Sequence, residues 1–252
     1  MIYKNPDTLR AMSLLMNDQQ IGDRFGITRV AVRHWRQKFD IPPSPIRGIG
    51  STKYQFDRSF FASIDSPEKA YILGFIIADG SIHRNGKSIS IAIKEEDVGL
   101  LSHIRSSIGS QSPITAKHCT KGYGDHTLSV LNICGVELVK DLTSLGVFHD
   151  KTTTATYPPI PRELESHLVR GLIDGDGSIT KRYFVLIGTG ALISGVRNAV
   201  YQHTGCLLTQ RTVNGHWRIT GNRRDRSALV WIFKGATLAL DRKRQVYQQF
   251  WD

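Results

Sequence analysis

The feature that most limits how this chain can fold is an internal repeat. "ILGFIIADGSI" at residues 72–82 returns as "VRGLIDGDGSI" at residues 169–179, an offset of 97. Each copy is an apolar run closed by a small residue, an aspartate, a glycine and Ser-Ile. Ser66 and Pro67 offer an N-cap and a first helical position for the first run, and Pro161 precedes the second, so both are expected as helices. Gly80 and Gly177 fall where a left-handed residue would end each helix. Small residues recur one turn apart, Gly74 with Ala78 and Gly171 with Gly175. Two such faces let helix backbones approach closely, and that packing sets Asp79 beside Asp176 at one end of the pair.

This placement is electrostatically poor. A helix C-terminus carries about half a negative charge, and two facing carboxylates repel one another. Aspartates at matched positions there call for bound cations. Hard oxygen donors without clustered His or Cys point to Mg²⁺. His118, Cys119, His126 and Cys134 fit no usual zinc spacing, and strand alternation accounts for them.

The flanks of the two motifs repeat as well. "SISIAI" (88–93) alternates, with Ile89, Ile91 and Ile93 on one face and Ser88, Ser90 and Ala92, then Lys94, on the other. "EDVGLLSHIRSSIG" and "GALISGVRNAVYQHTG" read as matching helices. Hairpins are expected at about 113–119 with 127–133 and at about 207–213 with 216–221, the second across Asn214-Gly215, a type I′ signal. His216, Arg218 and Thr220 share a face opposite Trp217 and Ile219. Helices at about 135–145 and 225–235 follow, and each half ends near a lysine, Lys151 or Lys243. The fold class is therefore α+β: two pseudo-symmetric α-β-β-α-β-β-α halves, each an antiparallel sheet with helices on one side. The open faces suit a groove-lining surface. Ser88, Ser90, Lys117, Arg211, His216, Arg218 and Thr220 are its expected DNA contacts.

Residues 17–38 read as two short helices around Gly26, with Ile21, Phe25, Ile27, Val32 and Trp35 facing inward and Thr28 capping the second. This is a helix-turn-helix pattern. Its outer face carries Arg29, Arg33, His34, Arg36 and Gln37, and Arg29, Arg33 and His34 are the expected major-groove contacts. "DIPPSPIRGIGSTK" holds three prolines and two glycines, which mark a tether. The expected boundaries are 1–40 for the helix-turn-helix, 41–53 for the linker, 54–156 for the first half, 157–163 for the join and 164–252 for the second half.

Composition narrows the partner. The chain has 33 Lys and Arg against 22 Asp and Glu, a net charge of +11, which suits a polyanion. Its mean hydropathy of -0.22 is that of an ordinary globular chain. The longest uncharged apolar run, Ala70–Ala78, is far below the roughly 20 residues of a bilayer span. Met1–Arg10 has no apolar signal-peptide core, and three cysteines without a CxxC pair read as reduced thiols, so a cytoplasmic location is expected.

Residues 72–80, "ILGFIIADG", and 169–177, "VRGLIDGDG", closely resemble the signature of the LAGLIDADG homing endonucleases. The resemblance runs over about 54–252, taking in "DKT" at 150–152 and "DRKR" at 241–244. With the N-terminal helix-turn-helix, the chain is similar to phage and bacterial members. The resemblance implies a monomer whose motif helices form a central interface and whose saddle-shaped sheets straddle double-stranded DNA. It implies Mg²⁺, with Mn²⁺ able to substitute, held by Asp79 and Asp176 with help from the carbonyls of Ala78 and Gly175. It implies that Lys151 and Lys243 support the attacking water or the phosphate, and that Lys94 joins the solvent network. The counterpart of Lys94 falls near Leu186 or Ile187, so the second half departs from the pattern. Ile77 stands at the sixth motif position, where the consensus has Asp. The implied activity is homing, of an intron or of a free-standing gene: hydrolysis of one phosphodiester per strand at a long target in a bacterial or phage-infected cell, leaving 3′ overhangs. Two alternatives use the same fold, a non-cleaving DNA-binding regulator and an RNA-splicing maturase. An intein-embedded enzyme is not expected, because the terminal Cys/Ser and His-Asn of splicing blocks are lacking.

Overall fold

The computed structural model describes residues 2–44, 54–120 and 125–252. Most of the predicted linker (45–53) and the first hairpin's tip (121–124) lie outside the described residues. The chain divides into two compact units, Met1–Lys53 and Tyr54–Asp252. Among the described residues no helix is long and apolar enough to cross a membrane.

Among its described residues the first unit has three α-helices: α1 (Pro6–Leu15), α2 (Asp18–Phe25) and α3 (Arg29–Lys38). α1 adds to the expected pair. Asn5 caps it by accepting from the Thr8 backbone N–H at 3.0 Å, and Pro6 fills the first helical position. Gly26, at φ 64°, makes the turn between α2 and α3, and Thr28 caps α3 through the Ala31 N–H. Leu9, Ile21, Val32 and Ile41 form the buried centre, with Phe25, Ile27 and Trp35 packed on it. Arg36 corrects the expected outer face. It lies one turn after Val32 and so points inward. Its guanidinium is buried and donates to both Asp18 carboxylate oxygens at 2.6 and 2.7 Å and to the Ile41 carbonyl at 3.2 Å.

In the second unit the first half runs α4 (Pro67–Asp79), β1 (Gly80–Ile82), β2 (Ser88–Lys94), α5 (Val98–Ser107), β3 (Ile114–Cys119), β4 (His126–Cys134), α6 (Val136–Ser144) and α7 (Lys151–Thr154). The second runs α8 (Glu165–Asp176), β5 (Gly177–Ile179), β6 (Tyr183–Gly188), α9 (Gly190–Thr204), β7 (Thr209–Val213), β8 (His216–Asn222), α10 (Arg226–Phe233) and α11 (Asp241–Phe250). α7 and α11, which begin around the two lysines, extend the expected pattern. The sheets are antiparallel and identically ordered, β1-β2-β4-β3 and β5-β6-β8-β7. Asn214 and Gly215 both take positive φ, 48° and 79°, as a type I′ turn requires.

Ser66 caps α4 by accepting from the Lys69 N–H at 3.2 Å, with Pro67 next. Every residue from Ala70 to Ala78 is buried. A helix covered on all sides is central rather than amphipathic, and its main partner is α8. Glycine makes this pairing possible. A Cβ on Gly74 would land on the Leu168 carbonyl oxygen, and one on Gly171 on the Tyr71 carbonyl oxygen. Gly80 and Gly177 depart from expectation. Both are extended, at φ −75° and −107°, because the chain passes directly from helix into strand. They are small for another reason: a Cβ would stand 2.6 Å from the carbonyl of Ile76 or Ile173.

One continuous core underlies both sheets. Ile89, Ile91, Ile93, Leu131 and Ile133 enter it from the first, and Phe184, Leu186 and Ile219 from the second. The alternate residues form the free faces.

Candidate active site

Asp79 and Asp176 are the last residues of α4 and α8. The pairing of these helices lays the Asp79 carboxylate against Gly175, where a Cβ would stand 3.3 Å from Oδ2. No hydrogen bond among the described residues reaches either carboxylate. Burial raises the Asp79 pKa, against the pull of Lys151, Lys243 and Arg242. Asp176 is pushed up to about 6, first by burial and then by the like charge of Asp79, although its outer side opens to solvent.

The lysines supply part of the missing positive charge by an unexpected route. Lys243 Nζ donates to the carbonyls of Ile173, Asp174 and Gly177 at 2.6, 2.7 and 2.8 Å, and the residue is 4% exposed. All three ammonium protons close the C-terminus of α8. Lys151 does the same on α4, donating to Ile77 at 3.0 Å and to Ala78. Burial lowers both lysine pKa values, that of Lys243 to about 8. In this arrangement both lysines cap carbonyls that a helix end leaves unpaired.

The site suits a hard divalent cation. Two neighbouring helix-end carboxylates that no hydrogen-bond donor reaches among the described residues leave their oxygens available to a cation. Among the described residues no group of three or more His, Cys, Asp or Glu forms. Further ligands would therefore come from carbonyls, solvent or a phosphate, which is oxygen chemistry. The Ala78 carbonyl already accepts from Lys151, so Gly175 is the less committed carbonyl of the two.

Behind the aspartates lies a buried network whose parts sequence reading passed over. Asp174 is 1% exposed and accepts from Tyr71 Oη of α4 at 2.7 Å and from the Leu240 N–H at 2.8 Å. Arg170 donates to the carbonyls of Leu238 and Ile232 and to His167 Nδ1, each at 2.7 Å. The signal was present: two charged residues inside a motif helix must find partners if that helix is central.

The free faces carry most of the expected contacts. In the first sheet Ser90, Lys94, Thr115, Lys117 and Asn132 share the face away from the core, and in the second Thr209, Arg211, His216, Arg218 and Thr220. Ser88 belongs to the same row but is buried. No Asp or Glu stands on either face of these strands. Arg211 pairs directly opposite Arg218, an arrangement that like charges disfavour without an anion. Lys94 is exposed, 3.6 Å from Glu96. The register corrects its counterpart. Gly80 opposite Ile91 matches Gly177 opposite Leu186, so Lys94 corresponds to Thr189, not Leu186 or Ile187. On α3, Arg29, Arg33 and His34 are exposed.

No family model matches the sequence. No curated protein matches it either. Solved structures do. The chain is similar to the homing endonuclease I-WcaI bound to its DNA recognition sequence, at 13% identity and a TM-score of 0.55, covering 73% of this chain and 87% of that one. It is similar to I-DmoI in complex with DNA and Ca, at 16% identity and a TM-score of 0.50, covering 77% and 99%. A weaker likeness is to the N-terminal LAGLIDADG domain of DUF199/WhiA, at 12% identity and a TM-score of 0.48, covering 75% and 92%. The chain has the LAGLIDADG homing endonuclease fold.

Proposed function

We propose that this chain is a site-specific double-strand DNA endonuclease that hydrolyses one phosphodiester in each strand with a divalent metal, Mg²⁺ or Mn²⁺. The observation that carries this reading is the pair of aspartates at the joined ends of α4 and α8, the Asp79 carboxylate laid against Gly175 and neither carboxylate reached by a hydrogen-bond donor among the described residues. Bound there, a divalent ion supplies Lewis-acid activation of water and stabilisation of the leaving 3′ oxygen. Asp79 and Asp176 hold it as carboxylates, with the Gly175 carbonyl at hand. Lys151 and Lys243 keep both helix ends closed and add positive charge beneath the phosphate. The carboxylate-free strand faces neutralise the DNA backbone, and their alternating polar side chains read part of the sequence. Arg29, Arg33 and His34 of the N-terminal unit lengthen the recognised site in the same monomer. The reading fits the DNA-bound endonucleases that share the fold.

A cleavage map tests it. DNA from a host lacking the element is incubated with the protein in Mg²⁺ or in EDTA, and the new ends are sequenced. Discrete Mg²⁺-dependent breaks with short 3′ overhangs are expected. Tight, discrete binding without breaks would instead establish a regulator, and splicing of a bound intron RNA a maturase.

A further inference from the structure

The two halves differ at one rung of their sheets. In the first, Lys94 ends β2 opposite Leu128 of β4. In the second, the matching rung is one residue beyond Gly188 opposite Trp217, which sets Thr189 across from His216. The Thr189 hydroxyl has its one proton committed: it donates to the Ala155 carbonyl and accepts from the Leu192 N–H at 3.1 Å. The nitrogen donor has moved across the ladder, from the β2 end in the first half to the β8 start in the second. His216 is exposed, and its side chain makes no hydrogen bond or ion pair among the described residues. It lines a cavity of about 300 Å³ whose other walls include Ala78, Lys151 and Asp176. Lys94 lines a separate cavity, with His126 and Leu128 and without either motif aspartate. The halves are therefore unequal where the phosphate would sit.

We propose that His216 donates a hydrogen bond to the scissile phosphate of one strand, beside Asp176 and Lys151, and so governs the cutting of that strand instead of reading a base. The inference rests on the endonuclease reading above. An imidazole N–H serves this purpose in either protonation state. A charge-assisted hydrogen bond to phosphate in a partly enclosed cleft is worth about tenfold in affinity.

The test uses the full chain and a duplex carrying the mapped cut site, with one scissile phosphate at a time replaced by neutral methylphosphonate. Affinity is measured in EDTA, so that no metal contributes. The wild type should lose about tenfold more affinity on substitution in one strand than His216→Ala loses there. Substitution in the other strand should affect both proteins equally. In Mg²⁺, His216→Ala should cut the first strand at least about tenfold more slowly and accumulate nicked plasmid, and His216→Lys should recover much of the rate. Equal methylphosphonate losses in both proteins would overturn the proposal, as would equal slowing of both strands or an altered base preference alone. A wild type that cuts no DNA would overturn the endonuclease reading and this inference with it. A wild type that cuts alongside a strand-neutral His216→Ala would remove only the inference.

Discussion

Lys243 Nζ lies 2.6 Å from the Ile173 carbonyl, so the lysine at the end of the second half closes the C-terminus of that half's own motif helix. Three carbonyls share the ammonium. Lys243→Met should therefore lower stability by on the order of 3 kcal/mol, since buried acceptors lose their partner. Lys151→Met should cost less, because its side chain is less enclosed. Urea midpoints on the metal-free protein measure both. Equal and negligible losses would contradict the capping role.

Metal binding should track the ionisation of Asp176. Its folded pKa of about 6 lies above the usual 3.8, so the folded state holds the extra proton between those values. Stability of the metal-free protein attributable to this group is thus full below about pH 3.8 and declines as pH rises to 6. Cation affinity moves the opposite way, increasing over the same window, because the ion needs the carboxylate. Calorimetric titration with Ca²⁺ from pH 5 to 7 checks the rise. Asp176→Asn should flatten the pH dependence of the melting temperature between 4 and 6.

Asp79→Asn and Asp176→Asn should each reduce cleavage by at least about a hundredfold while leaving DNA affinity intact or raised, since each removes a negative charge facing the phosphates. Single-turnover cleavage and a binding titration on the mapped site separate the two effects. Cleavage at the wild-type rate in either variant would exclude the aspartate pair as the metal site.

Gly171→Ala should be severely destabilising, although alanine favours a helix by about 1 kcal/mol over glycine. The added Cβ would strike the Tyr71 carbonyl oxygen and stand 2.8 Å from the Phe75 nitrogen. Backbone on a packed helix cannot yield, and forced separation of α4 and α8 costs about 3 kcal/mol or more. Thermal unfolding of this variant against Gly99→Ala, where nothing lies within 4 Å, isolates the collision.

On the N-terminal unit, Arg29→Ala with Arg33→Ala should weaken DNA binding and relax base preference at the positions they read, with unfolding unchanged. Arg36→Ala should do the reverse. It strips Asp18 of both its hydrogen bonds from the guanidinium, and breaking such a buried pair costs about 3 kcal/mol. Melting curves and binding titrations on the two variants should therefore diverge.

Much of this protein is legible one residue at a time. The repeat at 72–82 and 169–179 determines two like halves, because equal apolar runs with equal caps form equal helices. Alternation at Ile89, Ile91 and Ile93 determines which face of β2 is buried, and Asn214-Gly215 determines the second hairpin. Those are local effects of period and turn chemistry. What tertiary structure decided is where charges end up. Arg36 looks like a surface arginine until Asp18 is seen to be waiting for it across the helix turn. Gly80 and Gly177 look like helix terminators until the extended backbone shows them to be spacers. Lys151 and Lys243 read from sequence only as lysines near the ends of the two halves; packing sets them against the carbonyls that end α4 and α8. The counterpart of Lys94 is set by strand register, and register depends on pairing between segments distant in sequence. Sequence determines which groups are present and their local geometry; only packing determines which unpaired donor meets which unpaired acceptor.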